Sequence, residues 1–286
     1  MQLSQYMCPA IPILNQNSEQ AQGLLYWWPL SVVSHYNIGS RFKDMVNYGQ
    51  DYAFYPQVWG GLGSDALLGY GTYYDGSNVG NPNVVNTSFN LSAPFTLSLW
   101  CRSDFANGTG NQSFAKIFGK PHNALSETDP YYLWLIQIDN GSPATFVGYI
   151  STGVAGGGVS IGGTSTLASG KVWHVALTYD GATLALYVNG LLESSTATSI
   201  TVGTNSNQPT MGKGPRNNAE NWLGLIKDVR VYNTAKSPGE IWRMYDAETR
   251  WELYTPQRRR RSFKAGASTP ASSSAAGLGR FFFGSR

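Results

Sequence analysis

The chain has 286 residues, of which 13% are charged, 13% are aromatic and 33 are glycine, and its net charge is +3. Few charges with many aromatics and glycines fit a compact, turn-rich sheet structure with an uncharged polar surface. So small a net charge, part of it from the single run Arg258, Arg259, Arg260 and Arg261, argues against a body that binds nucleic acid.

Residues 1–23, beginning MQLSQYMCPAIPILNQN, are polar and contain proline without a sustained period, the pattern of an extended arm. They lack a basic stretch followed by a long apolar core, and no later segment approaches the roughly 18 apolar residues of a membrane span. A soluble chain without an N-terminal export signal is therefore expected. The body opens at LLYWWPL, residues 24–30. Short apolar runs then alternate with Gly, Asn, Asp and Pro clusters through YYDGSNV, FTLSLWC, KIFGKP, YYLWLIQIDNG and TFVGYI. In FTLSLWC a period of two puts Phe95, Leu97, Leu99 and Cys101 on one face and Thr96, Ser98 and Trp100 on the other.

GKVWHVALTYDGATLALYVNG, residues 170–190, continues the pattern. Trp173, Val175, Leu177 and Tyr179 share one face of a strand, and His174, Ala176 and Thr178 share the other. Asp180-Gly181 and Asn189-Gly190 are dipeptides that tolerate positive φ at both centres of a tight turn, so the stretch predicts a three-stranded antiparallel meander. In WLGLIKDVRVY, Leu223, Leu225, Val229 and Val231 form one apolar series opposed by Ile226, Asp228 and Arg230. Lys227 interrupts that series and leaves the direction of the strand's middle open. One helix is expected in SPGEIWRMYD, where Ser237 caps, Pro238 suits the first turn, Glu240 completes a capping box, and Ile241, Met244 and Tyr245 share a face.

Beyond Glu248 the composition shifts through WELYTPQ and the four arginines into an Ala/Ser/Gly-rich linker that ends in RFFFGSR. The linker offers too little apolar area to fold alone, which predicts that residues 249–286 and the N-terminal arm become ordered through assembly. Three consecutive phenylalanines, Phe281, Phe282 and Phe283, are a liability in water unless a partner buries them. The only cysteines, Cys8 and Cys101, have no metal-binding or disulfide-framework spacing and read as free thiols.

Taken in order, the aromatic first strand LLYWWPL, Tyr74-Asp75-Gly76, Phe95 to Trp100, residues 170–190 and GLIKDVRVYNTAKSPGEI resemble the laminin-G-like, concanavalin A-like jelly-roll family in its pentraxin-type branch. The resemblance runs over roughly residues 24–247. It implies an all-β, two-sheet antiparallel jelly-roll sandwich with one short C-terminal helix and extended terminal arms. The expected division is an arm over 1–23, the jelly roll over 24–248 and a basic, low-complexity tail over 249–286.

Glycosidases on such a fold place two carboxylates close together on one strand, about 5 Å apart, so that acid and nucleophile flank one bond. Glu127, Glu193, Glu220, Glu240, Glu248 and Glu252 are instead scattered, and no enzymatic activity is expected. His35, His122 and His174 lie far apart in sequence with no Cys or carboxylate cluster around them, so zinc is not implied. No cofactor is required, although relatives often hold a structural Ca2+, for which Asp44 and Asp75 are the candidates. The alternative for both is an ordinary turn-forming aspartate. Aromatic rings can stack on the apolar faces of sugars, and Trp100 with either Tyr132 or Trp134 are the outward candidates; His174 is a further candidate contact.

WELYTPQRRRR also resembles the endings of laminin-G-like proteins from phages. The leading expectation is a non-enzymatic phage virion structural protein, a head decoration or fibre-type subunit in capsid or tail. It would be anchored to other virion proteins or to itself through Arg258 to Arg261 and Phe281 to Phe283, and would present its jelly roll to a host-surface glycan without binding a membrane or a specific nucleic acid. The alternative is the carbohydrate-binding module of a cell-surface or adhesin-type protein.

Overall fold

Alternating apolar and polar residues bounded by turn formers dictate strands, and strands dominate the computed structural model. It describes residues 13–30, 41–42, 44–46, 52–53, 60–76, 84–85, 88–105, 113–123, 129–141, 143–214 and 220–255. In chain order these contain β1 (Leu24–Trp28), β2 (Arg41–Phe42), β3 (Tyr52–Ala53), β4 (Gly60–Asp65), β5 (Gly69–Asp75), β6 (Val84–Val85), β7 (Phe95–Ser103) and β8 (Lys116–Pro121). There follow β9 (Tyr132–Ile138), β10 (Thr145–Ser151), β11 (Gly158–Thr166), β12 (Val172–Tyr179), β13 (Thr183–Val188), β14 (Leu191–Ala197), β15 (Thr210–Met211), β16 (Leu223–Tyr232) and helix α1 (Pro238–Tyr245). Among the described residues no helix is long and apolar enough to cross a membrane.

The strands form two antiparallel sheets. The first runs β14-β13-β12-β7-β16-β5-β4, with β1 also paired to β16, and the second runs β11-β10-β9-β8-β15-β6-β3-β2. Between them lies the main core, to which β7 contributes Phe95, Leu97, Leu99 and Cys101 and β12 contributes Trp173, Val175, Leu177 and Tyr179. Those are the faces expected from their period of two. Cys101 is a free thiol whose pKa burial pushes up; Cys8 lies outside the described residues. The meander's two turns differ. Asn189 (φ 50) and Gly190 (φ 80) both take left-handed conformations, as a two-residue hairpin turn requires. At the other turn only Gly181 is left-handed, and Asp180 Oδ1 instead accepts from the Ala182 and Thr183 amides at 2.7 and 2.6 Å.

β16 departs from simple alternation. Its register against β7 slips by one residue between Lys227↔Trp100 and Arg230↔Ser98, and Asp228 sits there at φ 54. This β-bulge resolves the interrupted series: Ile226 faces the main core before it, and Val229 and Val231 face the core after it. Leu225 is thereby turned away, a correction to the single apolar series expected.

The bulge also delivers Asp228 to the outer side of the first sheet, where its carboxylate is buried. Asp228 Oδ1 accepts from Trp27 Nε1 at 2.7 Å and from the Tyr254 hydroxyl at 3.0 Å, and Oδ2 accepts from Arg230 at 2.5 Å. Arg230 donates in turn to Gln20 Oε1 at 2.6 Å and to the Arg250 carbonyl at 3.2 Å. Gln20 Nε2 reaches the Thr249 carbonyl at 2.7 Å. One network thus ties strand, N-terminal turn and C-terminal segment together.

Around it, Trp27, Leu68, Trp100, Trp251, Leu253 and Tyr254 form a second apolar cluster, and Ile241 and Met244 of α1 pack on Ala176, Ala185, Tyr187 and Tyr232 in a third. The helix carries the full capping box of Ser237 and Glu240, as its sequence predicts. Backbone bonds from Asn15 to Leu253 and from Thr255 to Ile13, at 2.8 and 2.7 Å, join the two flanking segments. Residues 14–21 and 249–254, assigned from the sequence to the flanking arms, take part in the cover of the first sheet. Arg258 to Arg261 and Phe281 to Phe283 lie outside the described residues.

Two outcomes are expected from this layer. Asp228→Ala leaves the Arg230 guanidinium buried without its carboxylate, which should cost about 3 to 5 kcal/mol in urea unfolding; an unchanged midpoint would contradict the role given to the network. His174 is buried beneath the same layer, where burial and then the Arg230 and Arg250 cations lower its pKa from 6.5 to about 3. The unfolded chain therefore binds the extra proton between those values, and stability should fall as pH drops from about 6.5 towards 3. Denaturation midpoints across that window measure the slope, which His174→Gln should flatten.

Candidate functional site

The two sheets differ in what covers them, and this decides where a ligand can reach side chains. Trp100 does point away from the main core, as its place in β7 predicts, yet it is only 1% exposed. Trp251 and Tyr245 lie over it at ring-centroid distances of 5.7 and 6.0 Å. His174 is likewise 1% exposed, with Nε2 2.9 Å from Ser98 Oγ and its ring 5.1 Å from that of Trp100. Both belong to the layer under the C-terminal segment, so their expected outward presentation is corrected: residues 249–254, which help to hide them, bring Trp251, Leu253 and Tyr254 onto this face. Trp134 is 0% exposed and lies in the main core.

Trp134 and its near neighbour Tyr132 are separated by a register slip. Lys120 pairs with Trp134 but Pro121 pairs with Tyr132, which leaves Leu133 as the extra residue of β9. Leu133 and Trp134 both enter the core, and Tyr132 is released to the other face with Leu135 and Gln137. Of the two aromatics left open by the sequence, Tyr132 is therefore the one on the outer face, where it is 3% exposed and lines a pocket. A second slip, between Lys116↔Gln137 and Phe118↔Ile136, buries both Ile117 and Phe118 and leaves Lys116 on the same outer face as Tyr132.

That face holds a pocket of about 390 Å³ lined by Phe114, Lys116, Tyr131, Tyr132, Leu135, Gln137, Tyr149 and Glu220. The volume falls within the roughly 300–1,000 Å³ of small-molecule sites. Its polar centre is Lys116, which donates to Gln137 Oε1 at 2.5 Å and pairs with Glu220 at 3.3 Å. The Phe114 and Tyr132 rings lie 5.7 and 5.4 Å from the ammonium, within cation–π range. The backbone sets this up locally: Lys116 N donates to the Glu220 carbonyl at 2.9 Å, which brings the segment before β16 alongside β8. Across β9, Asp139 closes the turn into β10 by accepting from the Gly141 and Thr145 amides at 3.0 and 2.9 Å, and Tyr149 then stands opposite Leu135. Gly119 lies against two of the lining residues: a Cβ there would stand 2.5 Å from Leu135 Cδ1 and 3.1 Å from the Tyr132 ring. Burial, ahead of the nearby Asp129, raises the pKa of the Tyr149 phenol, so its hydroxyl is protonated at neutral pH and both donates and accepts.

The sequence singled out none of Phe114, Lys116, Tyr131, Gln137, Tyr149 and Glu220. Alternation in TFVGYI, with Phe146 and Ile150 inward, is a signal that could have found Tyr149. Nothing local marks Glu220, which arrives from a loop distant in sequence. Of the calcium candidates, Asp44 is buried, with Oδ1 accepting from the Trp27 and Val46 amides at 2.9 and 3.0 Å. The side chain of Asp75 lies outside the described ones. Among the described residues no group of three or more His, Cys, Asp or Glu is gathered as a metal site.

Residues 73–242 match the Laminin_G_3 family, described as the concanavalin A-like lectin/glucanases superfamily. No curated protein sequence matches the chain. Among solved structures it is similar to the binding domain of Paraclostridial Mosquitocidal Protein 1, at 16% identity and a TM-score of 0.58 over 80% of this chain and 53% of that one. It is also similar to the botulinum neurotoxin serotype G binding domain, at 13% identity and 0.54 over 78% and 50%. A third likeness is to Trypanosoma rangeli sialidase in complex with sialic acid, at 14% identity and 0.54 over 89% and 38%. The chain thus spans about half the length of the two toxin domains and a smaller share of the sialidase, and at these identities the likeness is one of fold. With two antiparallel sheets in a jelly-roll-like sandwich and more than half of the chain matched, this protein belongs to the Laminin_G_3 family of the concanavalin A-like superfamily.

Proposed function

We propose that this protein is a non-enzymatic binding module that takes a saccharide on the outer face of its second sheet. The observation that carries this reading is the pocket itself, in which three tyrosines and Phe114 surround a hydrogen-bonded polar centre. A sugar needs that combination: flat apolar walls for its C–H faces and oriented polar groups for its hydroxyls. The binding domains among its structural neighbours agree with it at the level of fold. Glu220, the carboxylate in the lining, is held in an ion pair with Lys116 and has no second carboxylate beside it among the described lining residues, which supports binding without turnover.

A second, compatible reading places the module on a virion, as a phage head-decoration or fibre-type subunit, with the extracellular surface of a cell as the alternative. Residues 13–15 and 253–255 lie side by side on the covered side of the first sheet, whereas the pocket lies on the outer face of the second. Anchorage at either segment would hold the molecule with its pocket facing outward. The anchor sequences would be the arginines 258–261 and the phenylalanines 281–283.

Tyr131 is 48% exposed, so Tyr131→Ala should leave the fold intact. Together with Tyr149→Ala it should weaken glycan binding about tenfold or more in calorimetric titration, a loss of about 1.4 kcal/mol or greater. Glycans incubated with the protein should be recovered uncleaved, and turnover abolished by Glu220→Gln would refute the non-enzymatic reading. For the second reading, a chain ending at Pro256 keeps the Tyr254 to Asp228 bond and should fold yet fail to join particles. Equal incorporation by mass spectrometry of purified particles would remove the tail as an anchor.

A further inference from the structure

The polar centre of the pocket restricts which saccharides fit. Lys116 is the cation in the lining, and its side chain is only 8% exposed. Its charge is already balanced by Glu220, 3.3 Å away, and Gln137 accepts one of its N–H bonds. Glu220 is the more accessible partner, with 35% of its side chain exposed. A carboxylate is acceptor-only and carries about four lone-pair sites, so the oxygen positions not facing Lys116 can accept from ligand hydroxyls. The carboxylate, being the more exposed of the two charges, stands nearer a ligand than the ammonium buried behind it, so a second anion placed in the cavity meets like charge first.

We propose that Glu220 is a specificity-determining residue that selects uncharged, hydroxyl-bearing sugars and rejects acidic ones. This rests on saccharide binding at the same site and names the ligand class for it. Hydroxyl donors from a neutral ring meet the carboxylate; a uronic-type carboxylate meets like charge. Replacing Glu220 by glutamine keeps the size and an acceptor oxygen but removes the negative charge, so the Lys116 ammonium no longer has this carboxylate beside it. That change should convert the pocket from one that excludes acidic sugars to one that tolerates or favours them.

The test uses the full chain and two matched probes, glucose oligosaccharides and the same oligosaccharides ending in glucuronate, titrated at low and at moderate salt. Wild-type protein should bind the neutral series at least tenfold more tightly than the acidic one, with the gap narrowing as salt screens the repulsion. Glu220→Gln, checked for an unchanged β-type circular dichroism spectrum and melting temperature, should bring the two series to within about threefold or reverse their order. If the wild type binds both series equally, or the glutamine variant keeps the full tenfold preference, the inference fails. In either case, binding that is still weakened by Tyr149→Ala leaves the saccharide-binding reading standing. If neither series binds and a broader panel of neutral glycans also fails, the saccharide-binding reading falls, and this inference falls with it.

Discussion

The architecture depends on one buried carboxylate. Asp228 sits at a bulge in β16, and the extra residue there lets Ile226 and Val229 face the same core while the carboxylate turns to the opposite side. An ionised side chain removed from water is tolerated only when its lone pairs are filled, and here an indole, a phenol and a guanidinium fill them. Each partner brings a different part of the chain: Trp27 from the first strand, Tyr254 from the C-terminal segment and Arg230 from β16 itself. Arg230 extends the hold to Gln20 and to the backbone at Arg250. The covering layer is thus attached by directional bonds as well as by its apolar clusters, which fixes its position as apolar contact alone would not.

That attachment makes the two sheets chemically unequal. Once the C-terminal segment lies over Trp100 and His174, the outer face of the first sheet becomes a second interior. Its histidine is kept neutral by burial and by two neighbouring arginines. The outer face of the second sheet, over β8, β9 and β10, instead carries the pocket. Slips of one residue in β8 and β9 then decide which side chains it shows: each adds a residue to the core and rotates the remainder of its strand, leaving Lys116, Tyr132, Leu135 and Gln137 together. The aromatic and polar character of the proposed ligand face therefore arises from bulges, features a register argument treats as exceptions.

Lysine is used in two contrasting ways. Lys120 is fully buried, donates to the Phe89 and Asn205 carbonyls at 2.6 and 3.1 Å and to Ser88 Oγ at 3.0 Å, and burial lowers its pKa to about 8. It joins β8 to the loops at residues 88–90 and 203–207 and serves the scaffold. Lys116, four residues earlier on the same strand, is paired with a half-exposed glutamate and faces the pocket. Partner, more than residue type or burial, separates the lysine that serves the scaffold from the one that lines the pocket.

What the sequence determined by itself was the strand pattern and the family. Period two assigned β7 and β12 their core faces correctly, the capping box of Ser237 and Glu240 marked α1, and Asn189-Gly190 marked its turn, because these signals are local and need no knowledge of the partner strand. The ordered motifs resembled the laminin-G-like family, to which residues 73–242 belong. Only the tertiary structure decided which outward residues stay outward. Trp100 and His174 alternate as polar-face residues should, but they are covered by a segment some 75 to 150 positions away in the chain. Trp134 is parted from Tyr132 by a one-residue slip that is visible only once β8 and β9 are paired. Glu220 meets Lys116 through a loop more than 100 residues distant. Periodicity reports the direction of a side chain relative to its own strand; exposure and charge pairing depend on what the rest of the chain lays over it.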